Sequence, residues 1–276
     1  MIKYKNYSIL MSVYKNEKSL YLDKSINSML EQTYLTNDFV IVCDGELTDE
    51  LNAVINKYKE KFPNIFTIIR LEKNLGLGLA LRHGIIFCKN ELIARMDSDD
   101  ISYNDRCEQQ MNIFNTVSDV DIVGGCIDEF DGDVENIIST RHVPEHNTEI
   151  VKVSKIRNPF NHMSVMYKKQ SVMKVGNYKD FFHVEDYFLW IRMLASGAVG
   201  FNIQRSLVCV RTGRDFYKRR GGILYLKSQI ELLKYMKKTN YIGWGTCFFS
   251  IVMRIVQTLS PGFLREWLYI NLYRKF

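Results

Sequence analysis

The chain has six cysteines, Cys43, Cys88, Cys107, Cys126, Cys209 and Cys247, and no two of them form a CxxC pair. Scattered thiols, mostly in apolar runs, exclude a zinc site and point to buried side chains in a reducing compartment. Long basic blocks are missing too. The net charge of +6 is spread along 276 residues, which disfavours nucleic acid and leaves an acidic small molecule or an anionic membrane surface as the partner class. The N-terminal "MIKYKNYSILMSVY" has too short an apolar part, and lacks the small-residue cleavage pattern, for a signal peptide. In the C-terminal tail the longest apolar stretch is broken by Arg254, whereas a bilayer span needs about 20 apolar residues. A cytoplasmic protein is therefore expected. No internal repeat or low-complexity linker interrupts the chain.

What is present is a hydrophobic content of 46%, ample for a buried core. Short apolar segments, "YSILMSV", "DFVIVCD", "IFTIIRL" and "ELIARMD", alternate with helical patterns over 18 to 31, 48 to 61 and 76 to 89. That alternation predicts a parallel sheet with crossover helices. "DVDIVGG" reads as a further strand, and beyond about residue 130 the pattern turns mixed, with strands "HMSVMY" and "GFNIQRSLVCV" around a helix starting near Glu185. Open parallel sheets bind ligands beyond the carboxyl ends of their strands. Ser12, Asp44, Lys73 and Asp97 fall at such ends, so four segments should meet at one cleft.

Three familiar motifs are absent on inspection. In "NLGLGLALRHG" the third glycine of a dinucleotide fingerprint would fall at Leu81. The run from Asp97 through Asp99 to Glu108 matches three calcium-loop positions but has no turn glycine. No glycine-rich phosphate loop follows the first strand, where "SVYKNE" stands instead. The acid cluster "DSDD" is best explained by a divalent cation, Mn2+ or Mg2+, bridging a diphosphate, because hard cations take oxygen ligands and are held by one or two carboxylates plus substrate phosphates. Helix N-terminal decoration is the competing explanation and suits Asp100 better than Asp97.

"SVYKNE", "VIVCDGELTDE", "KNLGLGLALRHGI", "IARMDSDD" and "HVEDYFLWIRML" together resemble the GT-A fold glycosyltransferases of family 2. "RNPFNHMSVMYKK" and "VRTGRDFYKRRGG" are similar to the amylovoran and O-antigen biosynthesis subgroup. The resemblance implies an α/β nucleotide-diphospho-sugar transferase fold, with a mostly parallel central sheet flanked by helices and C-terminal amphipathic helices. Residues 1–220 would be the catalytic domain, with a nucleotide-sugar-binding half to 130 and an acceptor-binding half from 131. The implied activity is inverting transfer of a hexose, glucose or galactose, from a UDP-sugar to a sugar on a polyprenyl diphosphate in O-antigen or capsule assembly. A binding or scaffold protein that kept the fold and lost turnover is the alternative.

By the same resemblance, Ser12 and Tyr14 line the uracil pocket, Asp44 bonds the uracil ring, and Glu17 and Ser98 join the donor-binding set. Asp97 lies at the ribose or donor sugar and joins Asp99 as metal ligand. Asp186 is the base that takes the acceptor proton, with Glu185 beside it. An arginine contact to the base would come from Arg82, since the family's Arg-Asn pair aligns with Leu81-Arg82. Arg211, with Arg214, Lys218, Arg219 and Arg220, could bind a donor or acceptor diphosphate. The histidine expected just after is replaced by Gly213, and His162 reads as a satisfied histidine near the acceptor. There is no QxxRW-like segment, which disfavours a processive synthase.

The tail 221–276 carries Trp244, Phe248, Phe249, Val252, Phe263, Trp267 and Tyr273 interleaved with Arg254, Arg265, Arg274 and Lys275. Such helices suit the headgroup boundary of the bacterial cytoplasmic membrane's inner face. Packing on the catalytic domain, or across a homodimer, would use the same amphipathic faces.

Overall fold

A computed structural model describes residues 4–212 and 222–259. The basic residues Arg214, Lys218, Arg219 and Arg220, with Gly213, and the distal tail residues Phe263, Arg265, Trp267, Tyr273, Arg274 and Lys275 lie outside them.

The first half alternates strand and helix as the sequence pattern demands. β1 (Tyr7–Val13), β2 (Asp38–Cys43), β3 (Phe66–Arg70) and β4 (Leu92–Asp97) pair in parallel in the order β3-β2-β1-β4. Central strands covered on both faces read as continuous apolar runs, which is why β2 is buried at every position. Helices α1 (Ser19–Leu30), α2 (Asp49–Lys61) and α4 (Arg106–Thr116) cover one face of the sheet; α3 (Leu77–Phe87) and α7 (Glu185–Ala195) cover the other. α1 turns Leu22, Ile26 and Met29 inward at helical spacing. α2 starts at Thr48, whose side chain accepts from Leu51 N–H, with Asp49 and Glu50 in its first turn and Lys59 and Lys61 in its last.

The second half extends the same sheet. β8 (Met166–Lys168) runs antiparallel between β4 and β6 (Val120–Phe130), and β6 pairs in parallel with β9 (Val199–Arg211). β5 (Ile101–Ser102) joins the β9 edge, and β7 (Ile137–Arg141) pairs with β6. Two short helices, α5 (Asn147–Val153) and α6 (Lys169–Lys174), lie between these strands in sequence.

Of the expected strand "HMSVMY" only Met166 and Tyr167 lie in β8. His162–Ser164 forms a 3-10 turn, because Asn161 Nδ2 and Ser164 Oγ both bond Gly125 O and draw the backbone out of the ladder. Lys73 is also displaced from its expected strand end, since β3 stops at Arg70. Residues 74 to 79 reach the cleft instead.

All six cysteines are buried and unpaired. After β9 come α8 (Ile223–Lys238) and α9 (Trp244–Leu259). Leu232, Leu233, Met236 and Cys247 bury against Tyr187, Phe188 and Ile191 of α7. The other side of α9 is open: Trp244 is 78% exposed, Phe248 72% and Phe249 63%. Among the described residues no helix is long and apolar enough to cross a membrane.

Candidate active site

The site begins where β1 and β4 part company with their crossovers. The chain after β1 turns toward β2 and β3 while the chain after β4 runs to the β6 side, so the strand order reverses between these neighbours and a crevice opens at their carboxyl ends. Ser12 and Asp97 are register partners at that edge. A cleft of about 900 Å³ spreads from there, lined by Ser12, Tyr14, Glu17, Asp44, the Asp97–Asp100 turn, Glu185, Asp186 and Arg211. Arg82 is not among the lining residues; it is exposed on α3.

Asp44 fastens one wall of the cleft. Its two carboxylate oxygens accept from Leu75 N–H at 2.7 Å and Gly76 N–H at 3.0 Å. The loop can come that close because Gly45 has φ +85° and a Cβ there would meet Asn74 N at 2.7 Å. Asp44 thus has an orienting task that the ligand-binding expectation did not contain. Glu17 accepts from Ser98 Oγ at 2.9 Å, tying the β1 loop to the acid turn. Tyr14, 40% exposed, stands at the lip.

The acid turn answers the question of how three neighbouring carboxylates coexist. Oxygens of Asp97, Asp99 and Asp100 lie within 4.8 Å of one another. Asp97 is neutralised by Arg95, a fully buried guanidinium that grips both its oxygens, Nη1 bonding Oδ2 at 2.6 Å and Nη2 bonding Oδ1. Asp100 is buried and accepts from Arg211 N–H at 2.9 Å. Burial and the charges of Asp99 and Asp97 push its carboxyl well above the usual carboxylate range.

The helix-cap explanation for Asp100 fails, because the residues after it form β5 and the next helix starts only at Arg106. Arg211 clamps the turn: its guanidinium stacks 3.8 Å from the Tyr21 ring and 4.5 Å from Phe130, and donates to the carbonyls of Asp99 and Gly132.

Facing this turn across the cleft, Glu185 and Asp186 open α7. Asn158 Nδ2 donates to Asp186 Oδ2 at 2.7 Å and fixes the carboxylate. Desolvation raises Asp186, against Asn158, Arg95 and Arg141, which lower it. Glu185 is pushed up to about 7, first by desolvation and then by the charge of Asp186. The glycine-rich segment that failed as a dinucleotide motif has a packing role here. A Cβ on Gly78 would sit 2.8 Å from Glu185 Cβ and 3.0 Å from Lys179 O, so α3 approaches the pair only because residue 78 has no side chain.

His162 is buried, with Nε2 2.9 Å from Tyr178 Oη, and desolvation plus Arg95 hold it well below the usual histidine range. It is a neutral, satisfied side chain at the cleft wall.

Sequence reasoning missed Arg95, Asn158 and the lining arginines Arg141 and Arg157, and expected Arg254, which also lines the cleft, at a membrane surface. Only Arg95 left a signal, an arginine inside the apolar strand "LIARMD", where a charge stays buried only if paired.

Comparison with known proteins accords with this geometry. The galactosyltransferase "UDP-Gal:alpha-D-GlcNAc-diphosphoundecaprenol beta-1,3-galactosyltransferase" of Escherichia coli is 37% identical over 98% of this chain and 97% of its own length. The amylovoran biosynthesis glycosyltransferase AmsE of Erwinia amylovora is 34% identical, with 95% and 97% covered. Among solved structures, S. aureus TarS 1-349 in complex with UDP-GlcNAc superposes with a TM-score of 0.69 at 14% identity, over 98% of this chain and 77% of that one, a likeness of GT-A type fold. The family model described as glycosyl transferase family 2 matches residues 8–182. With the family model spanning well over half of the chain and relatives matched over nearly its full length, the chain belongs to glycosyl transferase family 2.

Proposed function

We propose that the protein transfers a hexose, galactose before glucose, from a UDP-sugar to a sugar carried on a polyprenyl diphosphate, with inversion at the anomeric carbon. The observation that carries this reading is the opposition, in one cleft, of the acid turn ending β4 and the carboxylate pair opening α7. The donor and acceptor named for the Escherichia coli relative support the substrate classes.

Asp186 is the proton acceptor. Asn158 and the backbone N–H of Tyr187 hold its carboxylate in place at the cleft wall, where an acceptor hydroxyl would meet it. A sugar hydroxyl is a weak nucleophile, and a positioned carboxylate accepts its proton as the new bond forms. Glu185, with a carboxyl near 7, carries a proton much of the time at neutral pH and so spares the pair a second negative charge.

The acid turn fits a divalent cation. Asp99 and Asp97 line the cleft, with carboxylate oxygens within 4.8 Å of each other and of Asp100, and would hold the ion between them. Mn2+ or Mg2+ bound there would offset charge on the departing diphosphate. Tyr14 and Ser12 would then receive the uridine, and Asp44 would shape its pocket through residues 75 and 76.

The open face of α9, beside Lys237 and Lys238 at the end of α8, suits an anionic membrane surface, where a lipid-linked acceptor resides.

The test is a transfer assay with UDP-galactose and UDP-glucose on a synthetic N-acetylhexosamine diphosphate-lipid, with the linkage read by NMR. A β-linked product, lost on Asp186→Asn while UDP binding persists, is expected. An α-linked product would refute inversion, and normal turnover by Asp186→Asn would refute the assigned base.

A further inference from the structure

The acid turn is built with its own counter-charge. Arg95 of β4 is shut off from solvent: its side chain is 1% exposed, against 26% for the Asp97 carboxylate that it holds. Both Nη atoms bond Asp97, in the two-point geometry that suits a carboxylate. The arginine is anchored at its backbone as well. Its N–H donates to Val165 O at 2.9 Å, and its carbonyl accepts from Nη2 of the buried Arg106 at 2.7 Å. Asp97 is pinned from another side, because Ser25 Oγ of α1 donates to its carbonyl at 2.6 Å.

This pairing weakens the attraction of the turn for a cation. Three carboxylates with oxygens within 4.8 Å of one another would draw a bare divalent ion strongly. Two guanidinium groups stand in the same shell, however: Arg95 on Asp97, and Arg211, whose Nε donates to Asp99 O at 3.3 Å. Together they leave the turn with at most one formal negative charge. Salt screens buried charges little, so Arg95 opposes an incoming ion as a fixed positive charge. A nucleotide diphosphate reverses that balance, because its phosphate oxygens bring both negative charge and further ligands to the ion.

We infer that Arg95 is a positioning residue that withholds the acid turn from a bare divalent cation, so that the ion is held only together with the diphosphate of the donor. This rests on the reading of the acid turn as a cation site and adds the condition under which that site fills. Arg95 acts through Asp97: its grip fixes the carboxylate at the cleft edge while cancelling its charge. Release of the ion along with the departing UDP follows from the same balance, since the turn alone keeps little hold on it.

The test measures binding of Mn2+ alone to the full chain in three forms, followed by the electron paramagnetic resonance signal of the free ion. Arg95→Gln removes the charge but leaves a donor for Asp97, whereas Arg95→Lys keeps the charge and gives up the two-point grip. Without nucleotide, Arg95→Gln should bind Mn2+ about tenfold or more tighter than the wild type, with Arg95→Lys close to the wild type. A merely structural role would disturb both variants alike. Equal or weaker Mn2+ binding by Arg95→Gln would overturn the inference.

A second arm needs no variant. The Tm of the wild type should move little with Mn2+ alone and little with UDP in chelator, and should rise clearly with the two together. Mn2+ alone raising Tm as far as Mn2+ with UDP would refute the role given to Arg95 and leave the cation site standing. UDP raising Tm equally in chelator and in Mn2+ would remove the cation from the site, and the inference with it.

Discussion

Replacing Glu185 with glutamine should make the protein more stable at alkaline pH and leave it unchanged at acid pH. Glu185 sits at the first position of α7, beside Asp186 and within the field of Asp97, and its carboxyl is raised from 4.5 to about 7. In that window the folded chain keeps a proton that the unfolded chain has released. Stability therefore falls as pH rises from about 4.5 to about 7 and is flat in this residue beyond. A displacement of roughly 2.5 units at about 1.36 kcal/mol each sets a ceiling of about 3 kcal/mol, and the open mouth of the cleft brings the expected gain nearer 1–2 kcal/mol.

For a chain of this size that is a Tm rise of a few degrees for Glu185→Gln at pH 8, and none at pH 5. Thermal unfolding of both proteins from pH 5 to pH 8 measures it, and the difference between the curves cancels the other titrating groups. Parallel curves would show that Glu185 titrates normally and that the cleft does not desolvate it. Because Glu185 already holds its proton at acid pH, the same substitution should leave the acid limb of kcat/KM where it is.

Asp99→Ala should abolish metal-dependent UDP binding while the fold persists, whereas Asp100→Ala should also lower stability by about 1–3 kcal/mol because it orphans the Arg211 N–H; full activity of the Asp99 variant in chelator would remove the cation from the scheme. Gly78→Ala gains up to about 1 kcal/mol of helix propensity but drives a Cβ into Glu185 and Lys179 O, so turnover should drop at least tenfold with little change in Tm. Unaltered kinetics would mean that α7 can retreat without cost. Changing Phe248 and Phe249 together to serine should release the protein from anionic vesicles without unfolding it, since both are exposed. Equal sedimentation with vesicles would move membrane contact away from α9.

Much of the architecture was legible because it depends on short-range pattern. The crossovers expected over 18 to 31, 48 to 61 and 76 to 89 appear as Ser19–Leu30, Asp49–Lys61 and Leu77–Phe87, since apolar periodicity and chain direction suffice to place a helix against a parallel sheet. The helix opening at Glu185 and the strand through residue 211 were equally plain. Legibility ended where polar side chains redirect the backbone, as Asn161 and Ser164 do, and where a loop outruns its strand, as happens between Arg70 and Asn74.

The sequence by itself determined the parallel strands and crossover helices of the first half and the set of acids that end β4 and open α7, because these follow from local hydrophobic period and from motifs contiguous in the chain. Which acid does what was decided by tertiary structure alone. Asp97 is silenced by a guanidinium two residues away on the same strand, Asp100 is spent on a backbone N–H 111 residues distant, and Asp44 is occupied by a loop 31 residues on. The arginines at positions 141, 157 and 254 line the same cleft, and no spacing rule connects them. Electrostatic roles depend on distance and desolvation in space, and those exist only once the chain has closed the cleft.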